Sequence, residues 1–263
     1  MTELPPSAGR PTPLQTKREG IDLSIVIPAY NEERRIVPTL EAIAAYLART
    51  ATKAEILVVD DGSADGTAAR VGELAASIPS LRLLSNGRNR GKGFSIRHGF
   101  SESRAPLVLL TDADLSTPIE EVEKLIPSLR DGKAGIAVGS RALAPELVEV
   151  RQGPLRQAMG KGFNLVVRTL TGLSIRDTQC GFKLMDRRRL APVFAVARVD
   201  RFSYDVEILY LAHRRGIRIE EIPVIWRDSP NSRVSVLGDP LQMFVDVVRI
   251  VWRDRAGRYR EPS

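Results

Sequence analysis

From residue 23 the chain alternates between short apolar runs and longer stretches whose apolar residues recur every three or four positions. The runs are LSIVI (23–27), EILVV (55–59), LRLLS (81–85), LVLLT (107–111) and GIAVGS (135–140). The spaced residues between them are Ile36, Leu40, Ile43, Ala44 and Leu47, then Val71, Leu74 and Ala75, then Ile96 and Phe100, then Val122, Leu125, Ile126 and Leu129. Short buried strands alternating with amphipathic helices predict an α/β fold, a mainly parallel sheet flanked by helices. Beyond residue 140 the pattern changes. Helices are expected at 154–171, 187–194 and 203–215, with a late strand of mixed order at 217–226. The expected organisation is a leader over 1–21, one domain over 22–235, and a C-terminal amphipathic helix with a basic tail over 236–263. There Asp239 would cap the helix and Pro240 would take its first position.

Three of the apolar runs end in polar loops: PAYNEE, VVDDGSADGT and TDADLSTP. In a parallel sheet those ends share one edge, which would gather Asn31, Glu32, Asp60, Asp61, Asp112 and Asp114 around one crevice. Asp112 and Asp114 are two apart, so an extended backbone would turn both carboxylates to one side. A divalent cation gripping a phosphate would relieve their repulsion; capping of a helix starting near Pro118 by Asp114 or Ser116 is the other reading. Asp65 is expected to cap the helix after its loop, whereas Asp60 and Asp61 suit a base N–H or ribose hydroxyls. GRNRGKG (87–93) is not a P-loop, which would need glycine at Asn86 and Ser or Thr at Gly93. It reads as a cationic, glycine-rich helix entry, suited to contacting a diphosphate, with Lys92, or simply to turning the chain. No GxGxxG follows the first strand, so the usual dinucleotide turn is missing.

Charge narrows the partners. The net charge is +7, from 39 Lys and Arg against 32 Asp and Glu, and the arginines crowd toward the C-terminal half. That balance favours anionic partners; with aromatics at 5% and no common recognition signature, nucleic acid is not expected. The single cysteine, Cys180, excludes an internal disulfide and fits a reducing cytoplasm. The first thirteen residues hold four prolines and no apolar signal region, and no run reaches the ~18 apolar residues of a spanning helix. A cytoplasmic protein, peripheral on the inner face of the cell membrane, is expected.

SIVIPAYNEERRI, ILVVDDGSADGT, NRGKGFSIRHGF, LLTDADLSTP and VGSR, in this order, resemble the inverting family 2 glycosyltransferases of the GT-A fold. DTQCGFKLMDR and RFSYDVEILYLA resemble more narrowly the dolichyl-phosphate β-glucosyltransferases and their bacterial relatives. The resemblance covers about residues 22–235. It implies that Pro28, Tyr30, Asn31 and Glu32 border a uridine pocket, that Asp60 and Asp61 bind base and ribose, and that Asp112 and Asp114 hold Mg²⁺ or Mn²⁺. It implies phosphate contacts for Arg141, Arg156 and Arg233, sugar contacts for Asp177 and Gln179, close backbone approach at Gly181, and a site role for Asp205, with Glu207 turned to solvent. Cys180 reads as a packed residue, and neither His98 nor His213 is given a role. The implied reaction is transfer of glucose from UDP-glucose to a polyprenyl phosphate. The alternatives are mannosyl transfer from GDP-mannose and a nucleotide-sugar binder without turnover. A phosphate acceptor, largely dianionic at neutral pH, needs no general base, only cations to offset its charge. The eukaryotic members carry an N-terminal membrane anchor where this chain has its proline-rich leader. The C-terminal helix could lie on an anionic membrane, or pack as a core or dimer helix.

Overall fold

The computed structural model describes residues 20–150, 154–227 and 239–260. Its strands are β1 (Leu23–Ala29), β2 (Ala54–Asp60), β3 (Leu81–Ser85), β4 (Leu107–Leu110), β5 (Ile136–Ser140), β6 (Val148–Val150), β7 (Lys183–Asp186), β8 (Ile219–Pro223) and β9 (Trp226–Arg227). Its helices are α1 (Ile36–Thr50), α2 (Thr67–Ala75), α3 (Lys92–Glu102), α4 (Val122–Arg130), α5 (Pro154–Thr171), α6 (Arg187–Val196), α7 (Tyr204–Arg214) and α8 (Asp239–Arg255).

Seven strands form one sheet in the order β3-β2-β1-β4-β7-β5-β8, and β6 pairs with β9 in a separate ribbon. All strands of the large sheet are parallel except β7, which runs against both β4 and β5. The mixed-order strand is therefore β7, in a segment for which no strand is expected from the sequence. The expected 217–226 strand splits into β8, parallel to β5, and the two-residue β9.

The continuous apolar runs are explained by burial on both faces. Ile25, Ile27, Ile56, Val58 and Leu109 face one core with α1 and α4. Their neighbours Val26, Leu57, Val59, Val108 and Leu110 face the other, with α3, α6, α7 and part of α8. The late helix is thus partly core: Met243, Val247 and Ile250 are buried. Among the described residues, no helix is long and apolar enough to cross a membrane.

Strand order reverses between β1 and β4, and open α/β sheets bind ligands at such a point. The β1–β4 ladder ends where Thr111 N donates to Val26 O at 3.1 Å. Backbone groups two residues apart face the same neighbour, so Pro28 sits on the β4 side just past the last bond. Its missing N–H therefore costs no ladder bond. Beyond it β1 and β4 no longer pair, and the loops that follow them flank this switch point.

Candidate active site

The β1 tip is shaped by its own backbone. Asn31 takes the left-handed conformation (φ 53°), which a short polar side chain tolerates. Its N–H donates to Ser63 Oγ at 2.8 Å, and its Oδ1 accepts from Ala64 N at 2.7 Å. Glu32 N donates to Thr67 Oγ1 at 2.7 Å, while the Glu32 carboxylate binds the Arg35 guanidinium through two bonds of 2.6 and 2.7 Å. Tyr30 is partly exposed beside them and Pro28 half-buried. These bonds lock the β1 tip to the loop after β2.

At the β2 tip the two aspartates differ. Asp60 lies under the turn, accepting from Ser63 N at 3.2 and 3.3 Å. Asp61 accepts from Asn86 Nδ2 (2.7 Å), Arg90 N (2.9 Å) and Gly91 N (2.8 Å). Two backbone donors of the glycine-rich loop, Arg90 N and Gly91 N, are thus turned onto Asp61. Lys92, from the same loop, turns its ammonium to Asp112. Asp65 does serve the start of α2, its Oδ1 accepting from Thr67 N at 3.0 Å.

Beyond β4, Ala113 is buried while Asp112 and Asp114 on either side of it are part-exposed, their side chains 36% and 18% accessible. Thr39 Oγ1 donates to Ala113 O at 2.8 Å and fastens this turn to α1. Leu115 follows in the left-handed region with φ 49°, a conformation strained for a residue that carries a Cβ. Asp114 does not cap a helix: its Oδ1 accepts from Ser116 N and Oγ at 3.1 and 2.9 Å, and its Oδ2 faces Arg35 at 3.4 Å across the crevice. Asp112 Oδ1 pairs with Lys92 Nζ at 2.6 Å.

Behind Asp112 stands β7. A Cβ on Gly181 would fall inside contact distance of both Asp112 carboxylate oxygens, so only glycine leaves that side chain its place. Lys183, buried at the start of β7, donates to Cys180 O and to Asp205 Oδ1, the latter at 2.5 Å. Burial opposes ionisation of Asp112, but Lys92, Lys183 and Arg141 outweigh it and hold its carboxyl below the usual aspartate range. The stability of that ionised form is in place above the ordinary aspartate pKa and is lost as pH falls through the lower folded value. For Asp205 burial prevails over Lys183 and Lys92, and its carboxyl lies above the usual range.

Arg141, at the β5 tip, is held by Asp177 through Nε (2.7 Å), Nη2 (2.8 Å) and its backbone N (3.0 Å), and lies 5.2 Å from the Trp226 ring centroid. Both Asp177 oxygens are therefore engaged with an arginine, where contact with sugar hydroxyls is expected. Those bonds fix the orientation of the Arg141 guanidinium. Gln179 is half-buried in the same loop. Glu207 is not turned to solvent: it is fully buried and accepts from Arg198 N, Val199 N and Tyr259 Oη. Arg233 and the side chain of Arg156 lie outside the described residues.

Lys183, Arg35 and Trp226, which meet Asp205, Asp114 and Arg141, are not legible as site residues in the sequence. A lysine heading an otherwise apolar four-residue run, KLMD, was the available signal for the first. Among the described residues, no group of three or more His, Cys, Asp or Glu could hold a metal by itself. Asp112 and Asp114, which flank the buried Ala113 and are each paired with a cation, offer oxygen ligands that suit an ion drawing its other ligands from a bound diphosphate. Such an ion would compete with Lys92 and Arg35 for them.

Two expectations follow from this geometry. Gly181→Ala should displace the Asp112 carboxylate and lower turnover about 100-fold, as ~1 Å misplacements do, while shifting the denaturation midpoint little; unchanged turnover would contradict the packing. Cys180 is buried and its thiol is pushed up to about 11 by burial and by Asp177, so it should resist alkylation at neutral pH until the protein is unfolded. Mass spectrometry after iodoacetamide treatment reads this directly.

The chain is 40% identical over 244 residues to a dolichyl-phosphate beta-glucosyltransferase of Trichomonas vaginalis, covering 89% of this chain and 72% of that one. It is 35% identical to the Saccharomyces cerevisiae enzyme of that name (92% and 78% covered) and 36% identical to the Homo sapiens one (90% and 77%). Among solved structures, glucosyl-3-phosphoglycerate synthase from Mycobacterium tuberculosis in complex with UDP superposes with a TM-score of 0.65 at 19% identity, covering 93% of this chain and 82% of that one. The same enzyme in complex with Mn²⁺, UDP and glucosyl-3-phosphoglycerate gives 0.64, also at 19%, covering 90% and 81%. These structures share the α/β fold with its mostly parallel sheet. A sequence profile described as "Glycosyl transferase family 2" matches residues 24–193, and the chain is a glycosyltransferase belonging to that family.

Proposed function

We propose that the protein transfers glucose from UDP-glucose to a polyprenyl phosphate, inverting the anomeric centre to give a β-linked lipid-phosphate sugar. The observation that carries this reading is the cation-rich setting of the carboxylate pair. Asp112 and Asp114 are paired with Lys92 and Arg35, and Lys183 and Arg141 act on Asp112 from behind and from the side. The names of the relatives support the same donor sugar and acceptor class.

In this reading the β1 and β2 tips, with Pro28, Tyr30, Asn31, Glu32, Asp60 and Asp61, take the nucleoside. Asp112 and Asp114 hold a Mg²⁺ or Mn²⁺ ion with the donor diphosphate. When bound, that ion stabilises the charge developing on the departing UDP. Lys92 is placed to meet the same diphosphate. Arg141, fixed by Asp177 and stacked on Trp226, offers a preset fork to the acceptor phosphate, joined by Gln179 and by Arg156 and Arg233. Asp205 acts through Lys183, which keeps positive charge beneath Asp112. A dianionic phosphate attacks without losing a proton, so no general base is called for. The two histidines accord with that. His98 Nδ1 is bonded to Asn86 Oδ1 at 2.8 Å, and His213 is exposed in the last turn of α7. The acceptor's lipid tail places the chain at the surface of an anionic membrane.

Radiolabelled UDP-glucose or GDP-mannose, incubated with the protein, polyprenyl phosphate and Mg²⁺, tests the proposal. Label is expected in the organic phase from UDP-glucose. Lipid-linked product only from GDP-mannose would replace the donor, and none from either would remove the acceptor.

A further inference from the structure

The helix α8 has three distinct faces. Met243, Val247 and Ile250 point into the core and are 8%, 0% and 0% exposed. Phe244, Val248 and Trp252, each four residues from the next, form a stripe that is 44%, 44% and 54% exposed. Residues at that spacing share one side of a helix. The third face, with Arg249 and Arg253, closes a small cavity of about 120 Å³ whose other wall carries Arg198 and Arg201. Two aspartates also line it, Asp200 and Asp246; the first is engaged by Arg97 and the second by Arg249. Arg258 lies over the Trp252 ring at 4.7 Å from its centroid, and α5, which packs on α8, exposes Leu165 (64%).

Resting on the reading that the acceptor is a lipid, we propose that this face of α8 is a membrane-docking surface: Phe244, Val248 and Trp252 enter the bilayer interface, and the surrounding arginines bind anionic phospholipid headgroups. The pattern is an apolar stripe edged by arginine, with an aromatic residue at its end, as expected of a helix lying in an interface. The charge argues against a second copy of the chain in this place. A two-fold contact through the stripe would gather Arg249, Arg255 and Arg258 of both copies around one interface.

The surface is also joined to the crevice. The segment 198–201 that walls the cavity runs along the first turn of α3, where Gly93 N and Phe94 N donate to Asp200 O at 2.7 and 3.2 Å. A Cβ on Gly91 would strike the same oxygen. Lys92, between these glycines, pairs with Asp112. Docking through α8 therefore sets the bilayer one segment away from the proposed reaction centre.

Co-sedimentation of the full chain with phosphatidylcholine vesicles, with and without phosphatidylglycerol, tests this surface. Binding is expected only with phosphatidylglycerol, and to weaken with salt. The variant F244S/W252S should bind at least about tenfold more weakly, by loss of apolar contact. R249E/R258E should lose the preference for anionic vesicles. Brominated lipid chains should quench the Trp252 fluorescence, a signal absent from Trp252→Phe. Both double variants should turn over a short-chain, water-soluble polyprenyl phosphate like the unaltered protein while losing turnover of acceptor held in vesicles. Equal sedimentation of variants and unaltered protein overturns the proposal. So does a dimer, seen by light scattering and broken by F244S/W252S, in a protein that ignores vesicles. Absence of turnover in every form would count against the proposed reaction alone, since sedimentation decides the surface independently.

Discussion

Asp112→Asn should lower turnover by about 1,000-fold or more, roughly 4 kcal/mol of transition-state stabilisation. The replacement keeps the volume of the side chain against Gly181, where a Cβ would collide with the carboxylate, so the turn has no steric reason to move. What it removes is charge. The Asp112 carboxyl is held ionised by Lys92 at 2.6 Å, with Lys183 and Arg141 acting in the same sense. An amide offers a bound cation a weaker oxygen and leaves those three cations without their common counter-charge. The product assay gives the rate, and a thermal melt run beside it separates lost chemistry from lost fold. A fall of less than about tenfold would place Asp112 outside the chemistry that such losses report.

Lys183→Met is expected to act on stability, by about 3–5 kcal/mol, the usual result of removing one member of a buried ion pair. Lys183 is 1% exposed, and its ammonium lies 2.5 Å from a carboxylate that is itself buried. Methionine fills much of the space but leaves Asp205 as an uncompensated charge. A urea titration should show the loss, and Lys183→Met with Asp205→Asn should regain much of it. Burial already raises the Asp205 carboxyl above its ordinary range, and removing Lys183 raises it further. Protonated Asp205 carries no charge to strand, so the gap between variant and parent is present at neutral pH and narrows in acid. A gap independent of pH would point to packing rather than charge.

The sheet and its parallel core were legible because strands buried on both faces write themselves as unbroken apolar runs. LSIVI, EILVV and LVLLT each supply both clusters from alternate residues. The grouping of Asn31, Glu32, Asp60, Asp61, Asp112 and Asp114 followed from the same logic, since β2, β1 and β4 are parallel neighbours whose ends share an edge. β7 escaped notice because it is four residues long and begins with a lysine. The partners of the charged groups escaped for a different reason. Arg35 and Asp114 are 79 positions apart, and Arg141 and Asp177 are 36 apart. Local spacing says nothing about which distant carboxylate a guanidinium will meet. Glu207 shows the same limit: its place one residue from Val206 suggested a solvent face, whereas Tyr259, at the far end of the chain, covers it. The apolar spacing of the C-terminal helix fits either core or surface, and the helix is both, because its apolar residues occupy two faces.

The central claim is that Asp112 and Asp114 hold a divalent ion together with a nucleotide diphosphate at the β1–β4 crevice. Calorimetric titration of UDP in the presence and absence of Mn²⁺, repeated on Asp112→Asn and Asp114→Ala, addresses it most directly. Tight UDP binding that needs Mn²⁺ and disappears in both variants is the expected result. UDP binding indifferent to the metal and to both substitutions would contradict the account.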